Sequence, residues 1–145
     1  MEHEVLPTKV FLSSRLASGA FTSEIGGYMK DASGILKFIF SGPCTASNSM
    51  QVELQAVVYL VKAINVSTFS FESCLIYLDS EEVVKYIMKI KAGFPFKNLL
   101  EDESWVNIVR KSNLFFNYVR KGLNCGADDL AKQGCDRGYF IQGWS

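Results

Sequence analysis

An aspartate that directly follows a buried strand is the first candidate for chemistry in this sequence. The run Cys74–Leu78 is continuously apolar and of strand length, which is typical of a central strand covered on both faces. Asp79 follows it, at the carboxyl end where ligands of open α/β sheets bind. Its carboxylate is therefore a candidate catalytic acid. The alternative is a helix cap, since Asp79 and Glu82 have the spacing of a capping box.

A second acid, Glu53, falls on the apolar side of a predicted helix. From Ser49 to about Ile64 the hydrophobic period changes to 3.6, and Glu53 lies on the apolar stripe. A carboxylate there must be neutralised, face a polar pocket at the edge of the sheet, or reach solvent, because a buried unpaired charge is costly. The alternative is that Glu53 belongs to the first helical turn, complements the helix dipole and bends to solvent. The residues alone leave both explanations open.

The elements that position these acids are predicted to form a mixed sheet. Three strands, at Thr8–Leu12, Ile25–Lys30 and Ile35–Ser41, follow one another as an antiparallel meander. After the Glu53 helix and the Asp79 strand, the remaining predicted elements are helices at Ser80–Lys91 and Trp105–Lys111, the latter capped by Ser104, a strand at Leu114–Lys121 and a short helix at Ala127–Gln133. Crossover connections then predict that strands four and five run parallel to the first.

Length and composition indicate one folded domain over residues 1–145, with tails at 1–7 and 139–145. A chain of 145 residues with 48% hydrophobic and 13% aromatic residues is large enough for its own core. The fifteen basic and fifteen acidic residues cancel, so no global field attracts a polyanion. Nucleic-acid binding would therefore need a local basic patch.

The cysteines and the single histidine exclude two kinds of site. The four cysteines lack zinc-type spacing, and catalysis by histidine would depend on His3 in a frayed N-terminus. The sequence shows no signal or transit peptide and no apolar run of the ~18 residues that a membrane span needs. We therefore expect an intracellular protein without a membrane partner, in either cytoplasm or nucleus.

Four motifs, in the right order along the chain, resemble the type 1 ribonuclease H family, particularly the reverse-transcriptase-like ribonuclease H domains abundant in plants. They are IGGYMKD at Ile25–Asp31, ELQA at Glu53–Ala56, LDS at Leu78–Ser80, and NCGADDLAK at Asn124–Lys132, which is similar to the family's N-x-x-A-D-x-L-A-K. The resemblance implies an α/β, ribonuclease H-like fold: a five-stranded mixed sheet of order βββαβα(α)βα, with helices on both faces.

The same resemblance implies a metal-dependent cleavage of the RNA strand of RNA/DNA hybrids. In this family acidic side chains hold two Mg²⁺ ions about 4 Å apart, which activate water and stabilise the leaving oxygen. Glu53, Asp79 and Asp128 match three of these acids and are the candidate catalytic residues and ligands of Mg²⁺ or Mn²⁺. On this reading Asp79 is a metal ligand rather than a cap.

The family's fourth acid, an aspartate on the first strand, is absent. No Asp or Glu occurs between Val5 and Ser23, and the equivalent position is Ser13 or, on a different alignment, Ser18. Glu24, on the second strand, could replace this acid only if its carboxylate lay within about half an ångström of the position that a metal ligand needs. A catalytic histidine common in the family is also missing. A serine hydroxyl is a poor neutral substitute for a bridging carboxylate.

Lysines of the second predicted helix are the candidates for nucleic-acid contacts. Lys85, Lys89 and Lys91 lie on it, Lys97 lies in the loop that follows, and Asn124 lies in the last motif. The alternative for the lysines is an ordinary solvated helix face. We therefore expect a ribonuclease H-like domain with impaired catalysis that binds RNA/DNA hybrid, double-stranded RNA or a protein. The alternative is an active hybrid ribonuclease with a three-carboxylate site.

Overall fold

A mixed sheet with helices forms the framework of the molecule. The computed structural model describes residues 7–15, 23–46, 48–69, 72–100, 102–120, 122, 126–127 and 140–145. The elements are β1 (Thr8–Arg15), β2 (Ser23–Lys30), β3 (Leu36–Cys44), α1 (Ser49–Asn65), β4 (Cys74–Leu78), α2 (Glu81–Lys91), α3 (Ser104–Lys111), β5 (Leu114–Tyr118) and β6 (Ile141–Trp144).

The strands are ordered β5-β4-β1-β2-β3-β6 in one sheet. β1, β2 and β3 pair antiparallel, whereas β4 and β5 run parallel to β1. The predicted mixed sheet is therefore confirmed, but the predicted number of five strands is wrong. Residues 141–144, expected to be part of a tail, pair antiparallel with β3 as a sixth strand. Four residues are too few to show the alternation of apolar and polar residues by which a strand is predicted. The ring of Trp144 stacks on that of Phe38, with centroids 4.3 Å apart.

The core lies between the sheet and α1. Val10 and Leu12 of β1 point to this face and are fully buried, as is Met29 of β2. Successive strand residues point to opposite faces, so Phe11 and Tyr28 lie on the other side, which we call the outer face. Helices α1, α2 and α3 contact one another on the core side. No helix of the described residues is long and apolar enough to cross a membrane.

The helix caps differ from two predictions. Ser80, not Asp79, caps α2, because the Ser80 hydroxyl accepts a hydrogen bond from the Val83 N–H at 3.3 Å. Ser104 does not cap α3 either. It is the first residue of that helix, and the Asp102 carboxylate accepts hydrogen bonds from its N–H and its hydroxyl. At each helix start, one side chain accepts a hydrogen bond from one of the first backbone N–H groups, which have no partner within the helix.

Candidate functional site

Two adjacent serines at the end of β1 each contact one of the predicted acids. The Ser13 hydroxyl donates to Oδ2 of Asp79 at 3.4 Å. The Ser14 hydroxyl donates to Oε2 of Glu53. Because neighbouring strand residues point to opposite faces, the Ser13 side chain lies on the outer face and the Ser14 side chain on the core face. The end of β1 therefore contacts both acids, one on each side of the sheet.

Strand pairing explains why Ser13 meets Asp79. β1 and β4 are parallel, and Phe11 is the register partner of Tyr77. Ser13 and Asp79 each follow two residues later, so they reach the same edge of the sheet. The two sequence segments that meet here are 66 residues apart. Of the two positions considered for the missing acid, Ser13 lies beside Asp79, whereas Ser18 lies outside the described residues.

Glu53 is held inside the protein rather than at its surface. Only 3% of the surface of Glu53 is exposed, and the Ser14 hydroxyl donates a hydrogen bond to its carboxylate. The expected alternative, a carboxylate that bends to solvent from the first turn, is wrong. The helix begins at Ser49, so Glu53 lies just beyond the first turn and faces the sheet. Ser14 carries no motif that singles it out in the sequence, although its position in the strand alternation places it on the face that α1 covers.

Asp79 is not used as a helix cap. It is half-buried, and the capping role belongs to Ser80. The capping-box explanation of its spacing is therefore wrong. Its position immediately after β4 places its carboxylate beside β1, at the edge where polar side chains of both strands converge.

Two predicted site residues, Asp128 and Asn124, lie outside the described residues. The chain just before Asp128 is described at Gly126 and Ala127. A Cβ on Gly126 would lie 2.9 Å from Cε1 of Tyr28, so the backbone passes closely over the outer face there. A glycine at this position permits that approach.

The described side chains do not make a two-metal centre. Carboxylate and hydroxyl oxygens are the hard donors that Mg²⁺ accepts. Among the described residues, however, no three acidic, histidine or cysteine side chains converge at a place that could hold a metal ion. Glu24 is 2% exposed and lies opposite Arg15, and it does not complete such a group with Glu53 and Asp79. The described part of the site therefore lacks the group of ligands that a pair of metal ions needs.

The lysines of α2 have different surroundings. Lys85 pairs with Glu81 at 3.4 Å, and Lys89 is exposed. Lys91 donates to the carbonyl oxygens of Val109 and Ser112, and burial lowers its pKa. Lys91 is therefore part of the framework, whereas the other two side chains are accessible to a ligand.

Solved structures with a similar architecture include ribonucleases H. LC11-RNase H1, isolated from compost, has a TM-score of 0.71 and 16% identity over 90% of this chain and 96% of its own. RNase H1 from the halophilic archaeon Halobacterium salinarum has a TM-score of 0.64 and 17% identity over 89% of this chain and 97% of its own. The foamy viral protease-reverse transcriptase in complex with an RNA/DNA hybrid has a TM-score of 0.63 and 19% identity over 93% of this chain and 21% of its own.

These similarities show that the fold is ribonuclease H-like, as predicted. LC11-RNase H1 has also been solved in complex with an RNA/DNA hybrid, with a TM-score of 0.69 and 14% identity over 89% of this chain and 96% of its own. No protein-family model and no curated protein matches this chain.

Proposed function

We propose that this chain is a nucleic-acid-binding ribonuclease H-like protein whose phosphodiester cleavage is weak or lost. Within this fold its motifs favour the reverse-transcriptase-like group abundant in plants. One contact carries the proposal: the hydroxyl of Ser13 donates to Asp79 where the resemblance calls for a first-strand carboxylate. The site thus has a neutral hydrogen-bond donor in the place of a metal-binding acceptor.

The electrostatics explain the expected loss. Two divalent cations bring four positive charges close together, and bound carboxylates offset that charge. Ser13 is fully buried and brings no charge, while its proton is directed to Asp79. Weaker metal binding reduces the stabilisation of the transition state. A loss of about 3–4 kcal/mol in that stabilisation would slow cleavage roughly 100- to 1000-fold.

Nucleic-acid binding does not need the missing acid. One carboxylate fewer at this edge reduces repulsion of phosphates, and Lys85 and Lys89 are accessible cations on α2. Structures of this fold have been solved with RNA/DNA hybrids. We therefore propose RNA/DNA hybrid as the ligand, with Mg²⁺ or Mn²⁺ needed only for residual cleavage by Glu53, Asp79 and Asp128.

Binding is tested by fluorescence anisotropy in EDTA with matched RNA/DNA hybrid, double-stranded RNA and double-stranded DNA. We expect salt-sensitive binding of the hybrid, because phosphate contacts release counterions. The double variant Lys85→Gln with Lys89→Gln should weaken it, whereas Lys111→Gln on α3 should not. If no duplex binds, the proposed duplex-binding function is wrong.

Cleavage is tested separately with a labelled hybrid and Mg²⁺ or Mn²⁺. We expect little or no product from the unaltered protein. Efficient cleavage that disappears in Asp79→Asn would instead establish an active enzyme with a three-carboxylate site. The Asp79→Asn comparison also excludes a contaminating nuclease, because both proteins are purified in the same way.

A further inference from the structure

The outer face carries a row of stacked aromatic rings that the acid site does not use. Phe11 of β1 stacks on Tyr77 of β4, with ring centroids 5.0 Å apart, and on Tyr28 of β2, with centroids 5.1 Å apart. The three residues are register partners on neighbouring strands. We call them the aromatic strip. All three are half-buried, so parts of their surfaces remain accessible.

Two lysines lie at one side of the aromatic strip. Lys9 and Lys30 are direct register partners on β1 and β2, two residues from Phe11 and Tyr28 respectively. Both are exposed, and Nζ of Lys30 lies 5.6 Å from the ring centroid of Tyr28. Like charges directly opposite each other on antiparallel strands are destabilising. An anion between them would relieve that repulsion.

The neighbouring acid does not neutralise these lysines. Oδ1 of Asp31 accepts hydrogen bonds from the N–H groups of Ser33 and Ile35, and Oδ2 lies 3.9 Å from Nζ of Lys37. Among the described residues, no carboxylate lies within 4.0 Å of the ammonium groups of Lys9 or Lys30. Their charge is therefore available to a ligand.

A cavity joins the rings and the lysines. It has a volume of about 290 Å³ and is lined by the ring residues Phe11 and Tyr28, by Lys9 and Lys30, and by the β2–β3 turn. That volume is near the lower end of the range for ligand pockets, about 300–1,000 Å³. It suits one flat base rather than a duplex, whose bases are already stacked within the helix.

We propose that this surface binds single-stranded nucleic acid, with a base in the cavity against the exposed edges of the Phe11 and Tyr28 rings and flanking phosphates on Lys9 and Lys30. Tyr28 and Tyr77 cover the two faces of Phe11, so the base meets ring edges. Aromatic contacts to bases and lysine contacts to phosphate are the two interactions that hold single strands. The strip also adjoins the acid site, because Ser13 and Asp79 each follow a strip residue by two positions. A single strand that continues from a bound duplex would therefore lie along β1.

The test measures binding of labelled 12-nucleotide oligouridine and oligodeoxythymidine in EDTA, so it does not depend on cleavage. We expect Lys9→Gln with Lys30→Gln to weaken binding and to lower the slope of log K against log salt by about 1.4, for two contacts at about 0.7 each. Lys111→Gln on α3 is the control and should leave single-strand binding unchanged. Hybrid binding, measured on the Lys9→Gln with Lys30→Gln variant, separates this surface from the proposed duplex site.

An abasic oligonucleotide of equal length tests the rings. We expect it to bind about two- to tenfold more weakly than oligouridine, because it lacks the base that contacts the aromatic rings. Equal affinity for both, or unchanged affinity in Lys9→Gln with Lys30→Gln, would overturn the proposal. Phe11→Leu should weaken oligouridine but not abasic binding, and the abasic comparison stands if that variant fails to fold. Tighter binding of one of the two oligonucleotides identifies RNA or DNA as the ligand.

Discussion

Ser13 donates a hydrogen bond to Asp79 across the parallel pair β1 and β4, with Oγ and Oδ2 3.4 Å apart. Its neighbour Ser14 makes the corresponding contact with Glu53 on the opposite side of the same strand. Each acid therefore has a protein hydroxyl as a partner in the described structure.

Replacing Ser13 with aspartate should convert the outer-face contact into a cation site. Without metal, the new carboxylate repels Asp79, and we expect the melting temperature of Ser13→Asp to fall below that of the unaltered protein. Addition of Mg²⁺ or Mn²⁺ should raise it, because a ligand that binds only the folded state stabilises it. Differential scanning calorimetry at increasing metal concentration measures both effects. Equal metal responses of Ser13→Asp and Ser13→Asn would contradict this prediction.

Removing the Ser14 hydroxyl should destabilise the fold. Glu53 is 3% exposed, so losing one of its hydrogen-bond donors leaves a buried carboxylate less well satisfied. We expect Ser14→Ala to lower the free energy of unfolding by about 1–3 kcal/mol in urea titrations. Ser14→Thr keeps a hydroxyl and is the control. If the two variants lose the same stability, packing rather than the hydrogen bond explains the effect.

The pH dependence of stability should include a contribution from Asp102. Hydrogen bonds from Lys62, and then from Ser104, lower the pKa of Asp102 from 3.8 to about 2. A carboxyl group whose pKa is lowered by folding stabilises the folded state above its ordinary pKa, and this stabilisation is lost as the pH falls from about 4 to 2. Since both side chains are more than 40% exposed, we expect this contribution to be only about 0.2–1 kcal/mol.

Lys62→Met provides the measurement. Its stability deficit relative to the unaltered protein should be largest above pH 4 and should shrink toward pH 2, and an NMR titration should show a higher pKa for Asp102. Lys111→Met removes an exposed lysine of α3 and is the control. An unchanged Asp102 titration in Lys62→Met would show that the ion pair does not set this pKa.

The sixth strand should contribute to stability through its aromatic contacts. Trp144 is 44% exposed, yet its ring stacks on Phe38 and lies 6.1 Å from the ring of Phe69. We expect Trp144→Ala to cost about 1–2 kcal/mol in the free energy of unfolding. Ile35→Ala, in the exposed β2–β3 turn, is the control. Equal stability of the two variants would mean that β6 does not brace the sheet.

The sequence predicted the mixed sheet because its signals are local and strong. The apolar run Cys74–Leu78 matches β4, and the 3.6-residue period over 49–64 matches α1 to within one residue. The sequence did not predict β6, because four exposed residues form a strand only through pairing with β3. Tertiary pairing overrides weak local preference.

The candidate site was predicted less completely for a related reason. Strand position and helix period identified Asp79 and Glu53, and the family resemblance pointed to Ser13, but nothing in the sequence identified Ser14 as the partner of Glu53. Which residue caps α2 also depends on backbone geometry: Asp79 and Ser80 are both acceptable cap residues in sequence, and only the structure assigns the role to Ser80. The placement of Asp128 stays a prediction.

We propose that the missing carboxylate at Ser13 limits cleavage. The most direct measurement compares hydrolysis of a labelled RNA/DNA hybrid, in Mg²⁺ and in Mn²⁺, by the unaltered protein, Ser13→Asp and Ser14→Asp. We predict that only Ser13→Asp gains activity, by about 100-fold or more, since Ser14 lies on the other face of β1. Efficient cleavage by the unaltered protein, with no gain in Ser13→Asp, would contradict the account.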